Sequence, residues 1–399
     1  MPSASRRLAL IDMGTNTFHL LIAAIEPGAP PQVRVRTRTA VKLGAGNPEK
    51  GEGGISDGRI AEAAQARAIK ALRAFREEID LHGVSEHDIR AVATSAVRVA
   101  KNGPAFLADV FAQTGIRVEV IPGGQEAELI WAGVREAVPL GDGEPSLLMD
   151  IGGGSVEFII ANQQNIFWKQ SFEIGAQRLL DQFFWRDPIT PAEIAAEEAY
   201  LAGILGPLTA AVARYHPATL VGASGSFDTF CDLEAARHGD TRSMDNPPPE
   251  SELSLEAFAH HFALLKTLPH AERLALPGMT PVRADMIVVA GVLIDWCVRT
   301  YGLTRLRVSA WALKEGLLAR AVAAARWSHG RQPGPPRGAT AALVSRSCAV
   351  RSVLAPSCRP VLNSATLPAA SVACCTMAAR MFRSFWARTR SSCTSRRAA

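Results

Sequence analysis

Two short stretches of the chain set an aspartate, a glycine and a small hydroxyl residue between apolar runs: IDMGTNTFHLLI at 11–22 and MDIGGGSVEFII at 149–160. Laid over one another, they match Asp12 with Asp150, Gly14 with Gly152, Thr17 with Ser155, and Leu21-Ile22 with Ile159-Ile160. A single such segment reads as a tight hairpin, because Gly supplies backbone angles that other residues avoid. Asp is common in turns for local reasons of its own. The repetition adds something a turn does not explain. In both copies, Gly14, Thr15, Asn16, Thr17 and Gly152, Gly153, Gly154, Ser155 offer a row of backbone N–H groups with little side chain in the way, and concave N–H rows bind phosphate oxygens. A third candidate is LVGASGSFDTF at 220–230, where Gly222, Ala223, Ser224 and Gly225 follow a short strand and precede a helix.

The elements around these loops repeat as well. After the first hairpin come a strand at VRVRTRT (33–39), a Gly-rich loop, and a helix from about Asp57 to His82 that Gly83 closes. Strand IRAVATS, a helix at 104–113, strand RVEVI and helix EAELIWAGVREAV follow. Beyond PLGDGEPS the order restarts: strands LLMDI, VEFIIA and IFWKQSFEI, helices near 176–184 and 191–214, the GASGS segment, and a polar insert at 238–250 read as a surface loop. Helices from Leu255 and Arg283, strand RLRVS and helix ALKEGLLARAVAAA complete the chain up to residue 326. Strand meanders followed by alternating strands and helices define a mixed-sheet α/β fold. The expected division is 6–138 and 139–310, two domains with mixed five-stranded sheets flanked by helices and a cleft between them into which the Asp-Gly hairpins open.

The formal charge of +5 over 399 residues suggests a nucleic-acid partner, but its distribution does not support one. Residues 330–399 hold eleven Arg and no Lys, Asp or Glu, leaving the preceding chain with 32 basic against 38 acidic residues. That tail also holds five of the seven cysteines, without CxxC pairs or accompanying histidines, so no zinc site is readable there. It lacks helical or strand periodicity. It reads as disordered or non-native sequence, with a basic RNA- or membrane-surface tail as the alternative. MIVVAGVLI (286–294) is the longest apolar run and too short to span a bilayer. The first residues lack the apolar stretch of a secretory signal, so the expectation is a cytoplasmic protein with no membrane or nucleic-acid partner.

IDMGTNTFHLL, ATSAVR, GGQEAELIWAGV, MDIGGGSVEF, EIGAQRLL and VGASGS, in that order, resemble the exopolyphosphatase and guanosine pentaphosphate phosphohydrolase family, of the actin-like ATPase (ribonuclease H-like) superfold, over residues 6–326. The resemblance implies Mg²⁺-dependent hydrolysis of a terminal phosphoanhydride in polyphosphate or a guanosine polyphosphate, a homodimer, and a C-terminal helix (311–327) that completes the first domain. It makes Glu126 the catalytic glutamate, although a Glu in a first helical turn is also favoured by the helix dipole. Asp12 and Asp150 are the expected catalytic carboxylates and Mg²⁺ holders, with Glu157 as a further metal or water ligand or else a solvent-side strand residue. Arg98 falls where the family carries a phosphate-reaching arginine, or it forms a surface salt bridge. His19 is expected to fix its hairpin. The chain departs from the family at Gly124-Gln125, where members often carry glutamates, and at SAWALKEG, where Trp311 and Lys314 replace a Gly-containing turn and an Arg. Another actin-like ATPase, a sugar kinase and an inactive phosphate-ligand sensor are the alternatives.

Overall fold

Strand parity decides which residues meet. In the computed structural model, which describes residues 6–26, 29–44, 55–240 and 247–329, the chain opens with β1 (Arg6–Met13), β2 (Thr17–Ile25) and β3 (Gln32–Ala40), an antiparallel meander. Ile11, Met13, Phe18 and Leu20 point to one face of it, and Leu10 and Leu21 point to the other. Asp12 shares parity with Leu10, as His19 does with Leu21.

A two-stranded hairpin, β4 (Ile55–Ser56) and β5 (Arg59–Ile60), follows where the sequence suggested that the helix begins. Asp57 and Gly58 both take positive φ, 53° and 75°, the conformation of an Asp-Gly hairpin turn. Helix α1 (Glu62–Leu81) therefore starts later, and buries Ala64, Ala68, Leu72, Phe75 and Ile79 along one stripe against the first face of the meander. Next come β6 (Ile89–Ala93), α2 (Ser95–Val99), α3 (Gly103–Thr114), β7 (Val118–Val120) and α4 (Gly123–Ala137). The first sheet is five-stranded, in the order β3-β2-β1-β6-β7, with β6 and β7 parallel to β1.

The second half repeats the meander with β8 (Ser146–Ile151), β9 (Val156–Ala161) and β10 (Ile166–Phe172). Helices α5 (Ala176–Phe183), α6 (Pro191–Ile204) and α7 (Gly206–Tyr215) precede β11 (Thr219–Ala223) and α8 (Gly225–Arg237). Then come β12 (Glu250–Glu252), α9 (Leu255–Thr267), α10 (His270–Leu274), α11 (Pro281–Ala284), α12 (Ile287–Tyr301), β13 (Arg305–Ser309) and α13 (Leu313–His329). This sheet has six strands, not the expected five, in the order β10-β9-β8-β11-β13-β12. The extra edge strand begins at Glu250, the last residue of the insert read as a loop. Glu250 and Glu252 lie opposite Ser309 and Arg307, and ion pairs from Arg307 to Glu250 and from Arg305 to Glu252 fasten them there.

Every position of β8 and β9 is buried, so both faces are covered. Met149, Ile151, Val156 and Phe158 face the layer of α5 and α12, while Leu148 and Ile159 face α4. By the same parity Asp150 and Glu157 point toward α4, which packs on β9 and β10 and along α13. Residues 330–399, including the basic tail and its five cysteines, and residues 241–246 of the insert lie outside the described residues.

Candidate active site

The two glycine bends have one geometry. Gly14 N–H donates to Thr17 O at 3.2 Å, and Gly152 N–H donates to Ser155 O at 3.0 Å. In each hairpin the aspartate faces its partner strand at the equivalent place, Asp12 opposite His19 and Asp150 opposite Glu157. These two N–H groups close their turns and do not face a ligand. The second bend supplies other donors. The carbonyls of Gly152, Gly153 and Gly154 accept from the N–H groups of Ala176, Gln177 and Gly175 at the start of α5. Because C=O and the following N–H point oppositely across a trans peptide, the N–H groups of Gly153, Gly154 and Ser155 turn away from α5.

The bends meet. A β-carbon on Gly154 would fall 2.4 Å from Thr15 Oγ1, and one on Gly153 would fall 3.0 Å from Asn16 Nδ2. Asn16 Nδ2 donates to Gln177 Oε1 at 3.2 Å, a second tie across the seam. Between them opens a cavity of about 420 Å³, within the range of small-molecule sites. Asp12, Gly14, Thr15, Asn16, Thr17, Glu126, Asp150, Gly152, Gly153, Gly154, Ser155, Glu157, Ser224 and Gly225 all line it.

Three expected phosphate contacts do not. Gly222 and Ala223 belong to β11, and a β-carbon on Gly222 would strike the Phe227 ring at 2.1 Å, so this glycine serves packing. Arg98 is held away by carboxylates. Its Nη1 donates to Glu126 Oε2 at 2.8 Å and to Ile121 O at 3.2 Å, and its Nη2 donates to Glu173 Oε1 at 2.9 Å.

The carboxylates form one strongly interacting group. Glu126, in the first turn of α4 and 6% exposed, has its pKa pushed up to about 7 by burial, against the pull of the Arg98 guanidinium. Asp12 is pushed up to about 8 by burial and then by the Glu126 charge, with Lys314 opposing. Its Oδ1 is enclosed and has no hydrogen-bond partner. Burial also raises Asp150, which accepts from the Ser224 hydroxyl, and lifts Glu157, bonded to Ser171 Oγ at 2.6 Å, well above the usual range. Ser224 makes its contact from a strained backbone, φ 71° and ψ 171°, at the head of α8.

Cations surround this acidic floor, and sequence reading missed most of them. Arg38 extends the cross-strand row Asp12–His19–Arg38 to the edge of the first sheet. Lys314 approaches from α13, 3.4 Å from Glu315. Arg283 lies over the third loop, where a β-carbon on Gly225 would come within 1.8 Å of its Nη2. The only sequence signal for Arg283 was its place just ahead of an apolar helix. Burial, then the Lys314 and Arg283 charges, holds His19 well below its usual pKa, so it faces the cavity neutral. Asp228 also lines the cavity, its carboxyl pushed up to about 6 by burial.

Two mixed sheets flanked by helices, with matching Asp-Gly bends converging on one cavity, define a two-lobed protein of the actin-like fold. The model of the Ppx/GppA phosphatase family matches residues 21–325, and the chain belongs to that family. Its structure is similar to that of an exopolyphosphatase from Cytophaga hutchinsonii, with 41% identity, 80% of this chain and 98% of that one covered, and a TM-score of 0.74. A Ppx/GppA family member from Aquifex aeolicus is 26% identical and superposes with a TM-score of 0.65, covering 81% of this chain and 99% of that one. Exopolyphosphatase 1 of Mycobacterium tuberculosis is 27% identical over 315 residues, 79% of this chain and 88% of that one. Among the described residues, no helix is long and apolar enough to cross a membrane.

Proposed function

We propose that this protein hydrolyses the terminal phosphoanhydride bond of inorganic polyphosphate with the help of Mg²⁺. The observation that carries this reading is the convergence of both glycine bends, the Glu126 carboxyl and the cations Arg283 and Lys314 on a single cavity. Phosphoryl transfer to water calls for charge neutralisation on the phosphoryl oxygens and a group that orients the attacking water, and little else. The N–H groups of Gly153, Gly154 and Ser155 and the side chains of Arg283 and Lys314 would hold phosphate oxygens. Glu126 would accept a proton from water as it attacks the terminal phosphorus, and a base that titrates near neutrality suits that role. Named relatives that are exopolyphosphatases support the substrate class.

The donor set fits Mg²⁺. Asp12 and Asp150 offer oxygen only, and the enclosed, unpartnered Asp12 Oδ1 is a natural cation ligand. Among the described residues no three His, Cys, Asp or Glu side chains form a cage, so an ion held by Asp12 and Asp150 would complete its shell with water and phosphate oxygens, as Mg²⁺ commonly does. When bound, it would neutralise charge on the reacting phosphoryl group. Glu157 accepts from Ser171 Oγ, and its role in this reading is to orient that hydroxyl beside the acidic cluster.

Guanosine pentaphosphate contains the same kind of bond and is the second substrate to examine. The test is orthophosphate release by the full-length protein from polyphosphate, from guanosine pentaphosphate and from ATP with sugars, each with Mg²⁺ and again with EDTA. Release from polyphosphate that EDTA abolishes is the expected result. Binding without release, or phosphate transfer to a sugar, would contradict the proposal.

A further inference from the structure

Glu173 lies between the end of β10 and the start of α5, in the EIGAQRLL motif, and the chemistry above gives it no role. Its neighbours Phe172 and Ile174 are both buried, 6% and 1% exposed, so alternation turns Glu173 outward. The Ile174 N–H reaches back to Phe172 O at 2.8 Å and makes a tight turn with Glu173 at its centre. The carboxylate is thereby aimed across the seam between the lobes. There its Oε1 accepts from Arg98 Nη2 at 2.9 Å, and its Oε2 accepts from Ser95 Oγ at 2.5 Å and from Arg178 Nη2 at 2.9 Å.

Both ends of this arrangement lead to the site. Arg178 Nε donates to Gly154 O at 2.7 Å, which fastens it to the second glycine bend. Arg98 Nη1 donates to Glu126 Oε2 at 2.8 Å. A continuous chain therefore runs from the Gly154 carbonyl through Arg178, Glu173 and Arg98 to Glu126. Ser95 and Arg98 follow β6 of the first sheet, and Glu173 and Arg178 follow β10 of the second. The crossing is made at Glu173, which accepts from Ser95 and Arg98 of the first and from Arg178 of the second.

The geometry points to Glu173 as a positioning residue that fixes Arg98, and through it the Glu126 carboxyl, at a set distance from the phosphate held by the second glycine bend. The proposal rests on reading Glu126 as the base. Arg98 has two anchors on Nη1, Glu126 and Ile121 O, but both leave the guanidinium free to swing about that edge. The bond from Nη2 to Glu173 removes the swing. Partly exposed ion pairs of this kind add little to stability, so the consequence of the network is geometric. Placement matters strongly to chemistry, because a shift of about 1 Å in a reacting group costs ~10²-fold in rate.

The experiment compares wild type, E173A, E173Q, E126Q and the double variant E126Q/E173A, all full length, in steady-state phosphate release from polyphosphate. E173A is expected to lower kcat by roughly 10- to 10²-fold and leave KM within about threefold. E173Q keeps an acceptor for Ser95 but loses the charge that holds both arginines, and should fall between E173A and wild type. In the E126Q background the same E173A change should cost less than about twofold, because coupled groups are non-additive. Equal losses in both backgrounds, an unchanged kcat, or a higher KM with kcat intact would overturn the proposal. Hydrogen exchange without substrate supplies a readout independent of activity: backbone amides of α2 should exchange at least about threefold faster in E173A, through local opening. Unchanged exchange there would also overturn it. If wild type releases no phosphate, the reading of Glu126 as a base fails, while the exchange result still decides whether Glu173 holds Arg98.

Discussion

Arg283 lies across Gly225 so closely that a β-carbon at residue 225 would come 1.8 Å from its Nη2. The guanidinium and the backbone of the third loop thus share one surface of the cavity, although 58 residues separate them in sequence. Burial lowers the Arg283 pKa, with the Asp228 charge opposing, so a phosphate nearby would stabilise its charged form. G225A should displace the guanidinium, and R283A should remove it. Both variants are expected to raise KM for polyphosphate by ~10-fold, in keeping with the loss of a charge-assisted hydrogen bond. R283K should recover only part of this, because an ammonium lacks the planar fork. Steady-state phosphate release checks all three, and a KM unchanged in R283A would show that the substrate lies elsewhere.

Glu126 should account for much of the rate and little of the binding. E126Q keeps the shape and an acceptor for Arg98 but cannot take a proton from water. A fall in kcat of ~10² to 10⁴ is expected, the usual worth of a positioned acid or base. Calorimetric titration with polyphosphate should give nearly the same affinity as wild type. Equal turnover in the two proteins would remove Glu126 from the mechanism.

Much of this arrangement could be read in the sequence because local chemistry specified it. Two Asp-Gly bends with matched spacing are visible in one dimension, and the parity of β1, β2, β8 and β9 then determines that Asp12, Asp150 and Glu157 leave their sheets on the side of α13 and α4. The misses have physical reasons. Asp57-Gly58 was absorbed into a helix because the apolar period begins at Ile60, yet both residues take positive φ and turn a hairpin. Glu250 was read as the end of a loop, and no strand was expected at 250–252, because this strand draws its stability from pairing with β13 and from Arg305 and Arg307, not from its own composition. Arg98 was expected either at the phosphate or in a surface salt bridge, and no sequence pattern shows which two carboxylates, one of them from the other lobe, hold it. Arg283 could not be assigned from spacing, since its partner loop is remote in the chain.

A prediction about stability comes from α6. Glu197 is fully buried, neither of its carboxyl oxygens has a hydrogen-bond partner, and burial raises its pKa from 4.5 to about 9. It stays protonated in the folded chain while the unfolded chain ionises near 4.5, so its effect on stability is constant below that pH. As pH rises, folding must hold a proton that the unfolded state has released. Stability should therefore decline from about pH 4.5 and level off above about pH 9. E197M, which fills similar volume without polar atoms, should gain about 1–3 kcal/mol at low pH, the cost of an unsatisfied buried polar group, and should flatten the slope so that its advantage widens as pH rises. Denaturant titrations of both proteins at pH 5, 7 and 9 check it, and parallel slopes would show that Glu197 finds a partner.

The junction between the bends makes a separate prediction. A β-carbon on Gly154 would meet Thr15 Oγ1 at 2.4 Å, Ser95 Oγ at 2.5 Å and Ser95 Cβ at 2.9 Å, and turning the hydroxyls away does not relieve the last of these. G154A should lower kcat and raise KM together, while G124A, where a β-carbon meets nothing within 4 Å, should leave both within about twofold. Wild-type kinetics in G154A would mean that the seam is looser than the structure describes.

The central claim, that paired glycine bends hold the end of a phosphate chain for attack by water beside Glu126, is tested most directly by the products formed from long polyphosphate. Full-length protein with Mg²⁺ should release orthophosphate from the first turnovers, and chains separated by gel electrophoresis should show no early pool of mid-length fragments. Mid-length fragments ahead of orthophosphate, or no orthophosphate at all, would contradict the account.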